Sequence, residues 1–141
     1  MKKIAFDTGV QEVVLGAGVL RFHPQDPNLY ARFEQAGQKL QAVEKELAEK
    51  ADKAEGSQVV LLLQEADQKM KEILGWVFGA GNDFDAILGG VNLLAVAGNG
   101  QRVVTNLFAA LEPLLVEGAM ACAQLRAEEA EAAAQRRRAG Q

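Results

Sequence analysis

A short glycine-rich loop, Gly79-Ala80-Gly81, is the first place where this sequence of 141 residues could do chemistry. Backbone N–H groups in such a loop can hold a phosphate. The loop lacks the Gly-Lys-Ser/Thr ending with which a P-loop holds phosphate and magnesium. It also follows a predicted helix, whereas a dinucleotide-binding loop leaves a strand and opens a helix. We therefore expect no nucleotide cofactor at this position.

Metal-binding and catalytic patterns are equally incomplete. Asp83 and Asp85 have the alternate spacing with which a calcium loop begins, but Leu94 occupies the twelfth position, where such a loop needs a bidentate Glu. His23 is the only histidine and Cys122 the only cysteine, so neither a His-based triad nor an intramolecular disulfide exists within one chain. We expect no catalytic residue, no metal site and no cofactor, and the sequence does not indicate an enzyme.

Net charge and the distribution of apolar residues disfavour two classes of partner, nucleic acids and membranes. A net charge of −4 disfavours nucleic acid, because phosphate binding needs a surplus of Lys and Arg on one face. The positive run at residues 136–138 is the exception, and three glutamates between residues 128 and 131 offset it. Residues 73–97 are the best candidate for a membrane span, but two Asp and two Asn interrupt them. We predict a soluble cytosolic protein that binds neither nucleic acid nor membranes.

The N-terminal region, residues 1–23, has the pattern of β-strands. Ile4 and Phe6 alternate with polar or small residues, and two further β-rich runs flank a glycine-containing turn at residues 16–18. Two or three small strands are not stable on their own. The strands must therefore pack on the helices that follow.

Residues 26–125 are predicted to be helical, beginning with an antiparallel helical hairpin. Asp26 is a good N-cap, and Pro27 suits the first helical position, where its missing N–H costs nothing. A break at Gly56-Ser57, with Ser57 as the next N-cap, separates this helix from a second one that ends near Phe78. The short loop makes the two helices antiparallel neighbours.

Residues 75–90, here called the glycine segment, connect the second helix to a third. The segment contains five of the fourteen glycines and the only tryptophan. Asn82 is predicted to cap a short helix over residues 83–88. The third long helix starts near Gln101, and Pro113 should kink or divide it.

Large apolar residues end at Leu125, and residues 126–141 are rich in Ala, Glu and Arg. This composition favours helix but leaves nothing to bury, so we predict a polar, frayed or disordered tail after a single domain of residues 1–125. The predicted fold class is mainly α, of the α+β type. A small N-terminal β-hairpin or meander precedes the helical hairpin, the glycine segment with its short helix, and a long Pro-kinked C-terminal helix.

Two separated motifs resemble those of a known family. Residues 20–33 (LRFHPQDPNLYARF) resemble the N-terminal signature of small tail assembly chaperones from long-tailed phages and prophages of Gram-positive bacteria. That signature runs Arg-Phe-Asn-Pro-Thr/Ser-Asp, followed by an aromatic residue and Arg-Phe. The glycine segment is similar to the family's Val-Phe-Gly-x-Gly-Thr phrase and its later Phe-Gly-Gly phrase. His23 stands where the pattern has Asn, Asn82 where it has Thr, and Leu88 where it has Phe.

The resemblance implies a non-enzymatic protein of the bacterial host's cytoplasm, made during infection or lysogeny and absent from the mature virion. Such chaperones bind the long, aggregation-prone tape-measure protein, keep it soluble and help recruit tail-tube subunits around it. Many are also made in a longer form by a ribosomal frameshift near the end of the short reading frame.

Partner binding is expected to use helix faces, because an acidic helical protein with apolar stripes is suited to holding another chain's helices. We expect one stripe on the first helix and one aromatic cluster in the glycine segment to form the core and its exposed margin. Tape-measure segments or neighbouring copies would dock at that margin, and head-to-tail copies could build a ring or filament. The predicted docking residues are Phe33, Leu40, Leu47, Trp76, Phe78 and Phe84.

Three other functions are alternatives: a cellular adaptor or chaperone, a pore-forming peptide, and a small enzyme, which would need to bind a metal or a nucleotide. A generic helical adaptor or a secretion-type chaperone from a cellular operon would show the same stripes, and only the neighbouring genes would separate it from the phage protein. A pore-forming peptide is suggested by the spacing of Gly75 and Gly79. The charges of Asp83 and Asp85 and the long polar helices disfavour it.

Overall fold

Two strands and four helices make up residues 1–140, the part of the chain that the computed structural model describes. The predicted mainly helical α+β fold is confirmed, with an N-terminal hairpin, a helical hairpin, a short helix and a long C-terminal helix. The elements are β1 (Gln11–Leu15), β2 (Gly18–Phe22), α1 (Pro27–Ala51), α2 (Ser57–Phe78), α3 (Phe84–Ile87) and α4 (Val103–Ala139).

The two strands pair antiparallel, with Val13 opposite Leu20 and Val14 opposite Val19. Strand alternation turns Leu20 and Phe22 into the core and leaves Val14 and Val19 exposed on the outer face. The sequence allowed two or three strands. The described residues contain two strands, and residues 1–10 belong to neither strand.

The turn of this hairpin packs closely on α3. The Ala17 N–H donates to the Ile87 carbonyl at 2.9 Å. A Cβ added at Gly18 would lie 2.9 Å from the Ile87 Cα, and one at Gly16 would lie 2.8 Å from the Ile87 carbonyl oxygen. Both glycines are needed because backbone meets backbone here.

The helical hairpin of α1 and α2 forms as predicted, with one difference at its second start. The Asp26 side chain accepts the Asn28 N–H at 2.9 Å, and Pro27 takes the first helical position, which confirms the predicted cap. At α2, the prediction of Ser57 as N-cap is wrong: Gly56 occupies that position, without a side-chain cap, and Ser57 is already helical. The two helices share a core that includes Phe33, Ala36, Leu40, Ala66, Met70 and Leu74.

The short helix α3 is capped by Asp83, so the prediction of Asn82 as its cap is wrong. The Asp83 carboxylate accepts the N–H groups of Asp85 and Ala86 at 3.0 and 3.2 Å. A carboxylate at this position also interacts favourably with the positive end of the helix. The Asn82 side chain instead forms hydrogen bonds with backbone groups of Arg21 and Phe78.

The polar side of α2 anchors the connection between α3 and α4. Asp67 is buried and accepts the Leu93 N–H at 2.8 Å, while Lys71 contacts the carboxylates of Asp67 and Asp85 at 2.8 and 2.7 Å. Burial alone would lower the pKa of Lys71, but the hydrogen bonds to the two carboxylates outweigh it and raise the pKa. Helical periodicity places Asp67 and Lys71 on the outer face of α2. The structure buries Asp67 because the connector folds back over that face.

The long helix α4 starts two residues after the predicted position and continues through Pro113 without being divided. Its buried side faces α1, and its last buried residue, Gly118, lies against the loop before α1. A Cβ there would fall 1.8 Å from the Pro24 carbonyl oxygen. The buried residues of α4 are Val104, Leu107, Leu111, Leu115 and Gly118.

Beyond Gly118 the helix leaves the body of the protein. Residues 126–139 are helical, where the sequence predicted a frayed or disordered tail, and none of their side chains is buried. The structure therefore differs from the expectation in backbone conformation and agrees with it on solvent exposure. The domain boundary at Leu125 stays a prediction.

Candidate protein-binding surface

Four of the six predicted docking residues are core residues. Phe33, Leu40, Phe78 and Phe84 are all buried. These four side chains are covered mostly by their own chain, and their role in docking stays a prediction. Their apolar character reflects the packing of four elements around one core.

The buried aromatic residues connect the elements in two groups. Phe78 of α2 meets Phe22 of β2 edge to face at 6.1 Å, and Phe84 of α3 at 5.6 Å between ring centroids. Phe33 of α1 stacks on Phe108 of α4 at 4.9 Å. Such pairs contribute about 0.5–1.5 kcal/mol beyond the area they bury. The aromatic groups therefore hold the hairpin, the glycine segment and α4 onto the helical hairpin.

Trp76 and Leu47 stay at the surface, but neither opens a groove. Trp76 is 42% exposed, and the Lys39 ammonium lies 3.6 Å from its ring centroid as a cation–π pair. Leu47 is partly buried in the seam between α1 and α2, where the space left is only about 10 Å³. Glu46 contacts Lys50 and Lys69 beside that seam. The assignment of Trp76 and Leu47 as docking residues stays a prediction.

Asn82 joins the two motifs that carry the family resemblance. Its side-chain oxygen accepts the Arg21 N–H at 2.8 Å, and its amide donates to the carbonyls of Arg21 at 2.8 Å and Phe78 at 2.9 Å. It thus completes the free edge of β2 as a neighbouring strand would. The Arg32 Nε donates to the Val77 carbonyl at 2.9 Å and links the same two motifs a second time. Sequence reasoning missed both contacts.

An open groove lies between α1 and α4 and was not predicted from the sequence. It has a volume of about 430 Å³, and most of its lining is apolar. Gly37 lies in its α1 wall, where nothing comes within 4 Å of an added Cβ. We call it the α1/α4 groove; it is lined by Gly37, Leu40, Val104, Thr105, Phe108, Ala109 and Glu112.

Negative charge surrounds one end of this groove. The Tyr30 hydroxyl donates to the Glu34 carboxylate at 2.6 Å. That hydrogen bond, partial burial and the charges of Glu34 and Glu112 together raise the pKa of Tyr30. Tyr30 therefore stays protonated at neutral pH, and Glu112 places a carboxylate in the lining of the groove.

A second depression, of about 610 Å³, lies between α2 and α3 and is polar. Within it, Lys71 bridges the carboxylates of Asp67 and Asp85. Among residues 1–140, no group of three or more His, Cys, Asp or Glu side chains is arranged to hold a metal ion. His23 accepts the Gln25 N–H through its Nδ1 at 3.1 Å, the local hydrogen-bonding role that its position predicts. These groups stabilise loops.

Helix α4 is long and apolar enough to cross a membrane by length and composition, with a mean hydropathy of 1.4 over its best 18 residues. The choice of residues 73–97 as the best candidate span was therefore wrong. In this structure 28% of the α4 window is buried against the rest of the chain. Its exposed apolar residues include Leu114, Val116, Met120 and Leu125.

The structure thus offers the α1/α4 groove, a second apolar groove of about 420 Å³ that is lined by Lys50, Lys53 and Leu61 among others, a half-exposed tryptophan and a projecting helix. An exposed apolar helix face is a surface on which a helix of another protein can pack. Comparison with models of protein families, with curated protein sequences and with solved structures finds no match to this chain.

Proposed function

We propose that this chain is a tail assembly chaperone of a long-tailed phage or prophage of Gram-positive bacteria. It binds the tape-measure protein, keeps it soluble and helps recruit tail-tube subunits during tail assembly. In this proposal it acts in the host cytoplasm, is absent from the mature virion and has no enzymatic activity.

The observation that supports the proposal most strongly is the contact between its two resemblance motifs. Residues 20–33 and the glycine segment are separated by a long helical hairpin in sequence. In the structure they meet through Asn82 and Arg21, through Arg32 and Val77, and through the rings of Phe22 and Phe78. Two motifs that form one structural unit are a more specific likeness than two motifs that are merely present in one chain.

Asn82 also gives a physical reason for one departure from the family pattern. It stands where the family has Thr. A side chain at this position has to satisfy backbone groups of β2, and the amide of Asn82 does so as both donor and acceptor. The substitution is therefore compatible with the same contact between the motifs.

The partner proposed first is the tape-measure protein, followed by the tail-tube protein and further copies of this chain in a ring or filament. A long helical partner suits the apolar groove and the projecting α4, because both present helix faces without a cover. The net charge of −4 disfavours nucleic acid as an alternative partner.

The test is co-purification with the tape-measure protein of the same phage. We expect tagged chain to retain segments of that protein, and light scattering after size exclusion to show assemblies larger than one copy. A strict monomer at high concentration without affinity for any tape-measure segment would contradict the proposal. A tight complex with a protein secreted by the host would instead favour a secretion-type chaperone.

A further inference from the structure

We propose that the α1/α4 groove is the docking site for the tape-measure protein and that it takes a short amphipathic helix flanked by basic residues. The inference rests on the proposed function for the identity of the partner. The shape, chemistry and charge of the groove give the properties of the segment that it binds.

The shape of the groove fits one helix. Its α4 wall runs from Val104 to Glu112, which is about 12 Å along a helix axis, or roughly two turns, and Gly37 and Leu40 form the facing α1 wall. Gly37 lowers the α1 wall, because no side chain fills the space above it. A helix laid along this wall would pack between α1 and α4 as a further helix of the bundle.

The lining of the groove is apolar where a helix would place its anchors. Leu40 and Val104 are the buried apolar residues of its lining, and Phe108 and Ala109 are more exposed. Phe108 stacks on Phe33 on one side and is only partly buried. A partner with apolar residues at positions i, i+3 or i+4, and i+7 would cover this surface.

The rim of the groove is acidic on both walls. Residues of α1 three, four or seven positions from Gly37 share its face, and Glu34 and Glu44 are among them. Glu112 lines the groove from α4, and its charge acts on Tyr30 together with that of Glu34. Lys45, eight positions from Gly37, is the one basic residue on this face of α1. Charge complementarity therefore selects a helix flanked by Lys or Arg over one flanked by Asp or Glu.

The probe is a synthetic peptide of about 14 leucine and lysine residues, roughly 21 Å long as a helix, with leucines on one face. A matched peptide carries glutamate in place of lysine. Fluorescence anisotropy of the labelled peptides would measure their affinity for the full chain. We expect the lysine peptide to bind at least about ten times more tightly than the glutamate peptide.

Two substitutions test the site without depending on each other. Gly37→Leu fills the groove and leaves charge unchanged, and its control is Gly75→Leu, at another helical glycine where an added Cβ meets nothing within 4 Å. Glu112→Arg reverses the rim charge, and its control is Glu129→Arg on the projecting part of α4. We expect about a tenfold loss of lysine-peptide affinity in each groove variant and less than about a twofold change in each control. Thermal melting would verify that all four variants fold.

Three outcomes would overturn the inference. The groove variants could bind the lysine peptide as tightly as their controls, or the glutamate peptide could bind equally well. Gly37→Leu could instead reduce the mass of a self-assembled species without changing peptide affinity, and the occupant would then be a second copy of this chain.

Co-purification with the tape-measure protein separates this inference from the proposed function. If the tape-measure protein binds the wild type and Gly37→Leu equally, the groove is not its site, but the proposed function stands. If the lysine peptide binds the groove and no tape-measure segment binds the chain, the partner is wrong, and with it the proposed function.

Discussion

Asn82 holds together two parts of the chain that lie 61 residues apart in sequence. Its side chain is buried and satisfies both backbone groups of Arg21 on the free edge of β2, as well as the Phe78 carbonyl at the end of α2. A two-stranded hairpin is marginal alone. The Asn82 amide therefore forms the hydrogen bonds that a third strand would form at this edge, and it connects the hairpin to the helices.

Replacing Asn82 by Ala should destabilise the fold by about 1–3 kcal/mol, because buried backbone groups lose their partners. Urea unfolding followed by circular dichroism would measure the loss. Asn106→Ala is the matched control. The Asn106 side chain forms an exposed hydrogen bond with Asn99, so its replacement should change the free energy of unfolding by less than about 0.5 kcal/mol. Equal effects for the two variants would show that the Asn82 contact is not structural.

Gly118 marks the closest approach of α4 to the rest of the chain. A methyl group there would meet backbone atoms of Pro24, which cannot rotate away. Gly118→Ala should therefore destabilise the protein by about 1–3 kcal/mol, although alanine is the better helix former. Gly37→Ala has open space around it and should stabilise by about 0.5–1 kcal/mol. A urea midpoint that rose in Gly118→Ala as it does in Gly37→Ala would contradict the close contact of α4 with Pro24.

Helix α4 has a packed part, up to Gly118, and a projecting part beyond it. Up to Gly118 its apolar stripe packs on α1, and beyond that point no side chain is buried. An isolated helix of this length is marginal in water. The projecting part is thus held mainly by continuity with the packed part, and the arginines of its last turn interact favourably with the helix dipole.

Removing residues 126–141 should leave the core intact. We expect the free energy of unfolding to change by less than about 1 kcal/mol, since residues 126–140 contribute no buried side chain. Circular dichroism would show less helix with one cooperative transition. Hydrogen exchange of the full chain should show protection that falls towards residue 139. Loss of cooperative unfolding in the truncated chain would contradict the predicted boundary at Leu125.

The elements could be predicted because their signals are local. Asp26 followed by Pro27 starts α1, the three-four spacing of apolar residues marks α1 and α2, and the glycines at residues 16–18 mark the hairpin. The register of the hairpin then follows from its turn.

The groove and the contacts between motifs could not be predicted in this way. Asn82 and Asp83 are equally good caps by sequence, and only the position of β2 decides which one caps α3. Asp67 lies on the polar side of α2 and is buried by a connector that follows much later in the chain. The groove exists because α4 crosses α1 beside Gly37, and no local pattern encodes that crossing.

The whole molecule combines an acidic surface, a mainly helical body and few groups capable of chemistry. Its two resemblance motifs come together at one end of the core, and its open apolar surface lies elsewhere, between α1 and α4. In the proposed chaperone, the motifs would maintain the fold and the groove would contact the partner. Variants that remove the contacts between the motifs should therefore reduce stability, whereas variants of the groove should reduce binding.

The most direct test of the account is the solubility of the tape-measure protein in cells that also make this chain. We expect co-expression of the wild type to move the tape-measure protein from the insoluble to the soluble fraction, where the two proteins co-purify. Gly75→Leu should do the same. A tape-measure protein that stays insoluble, or that is equally soluble without this chain, would contradict the proposed function.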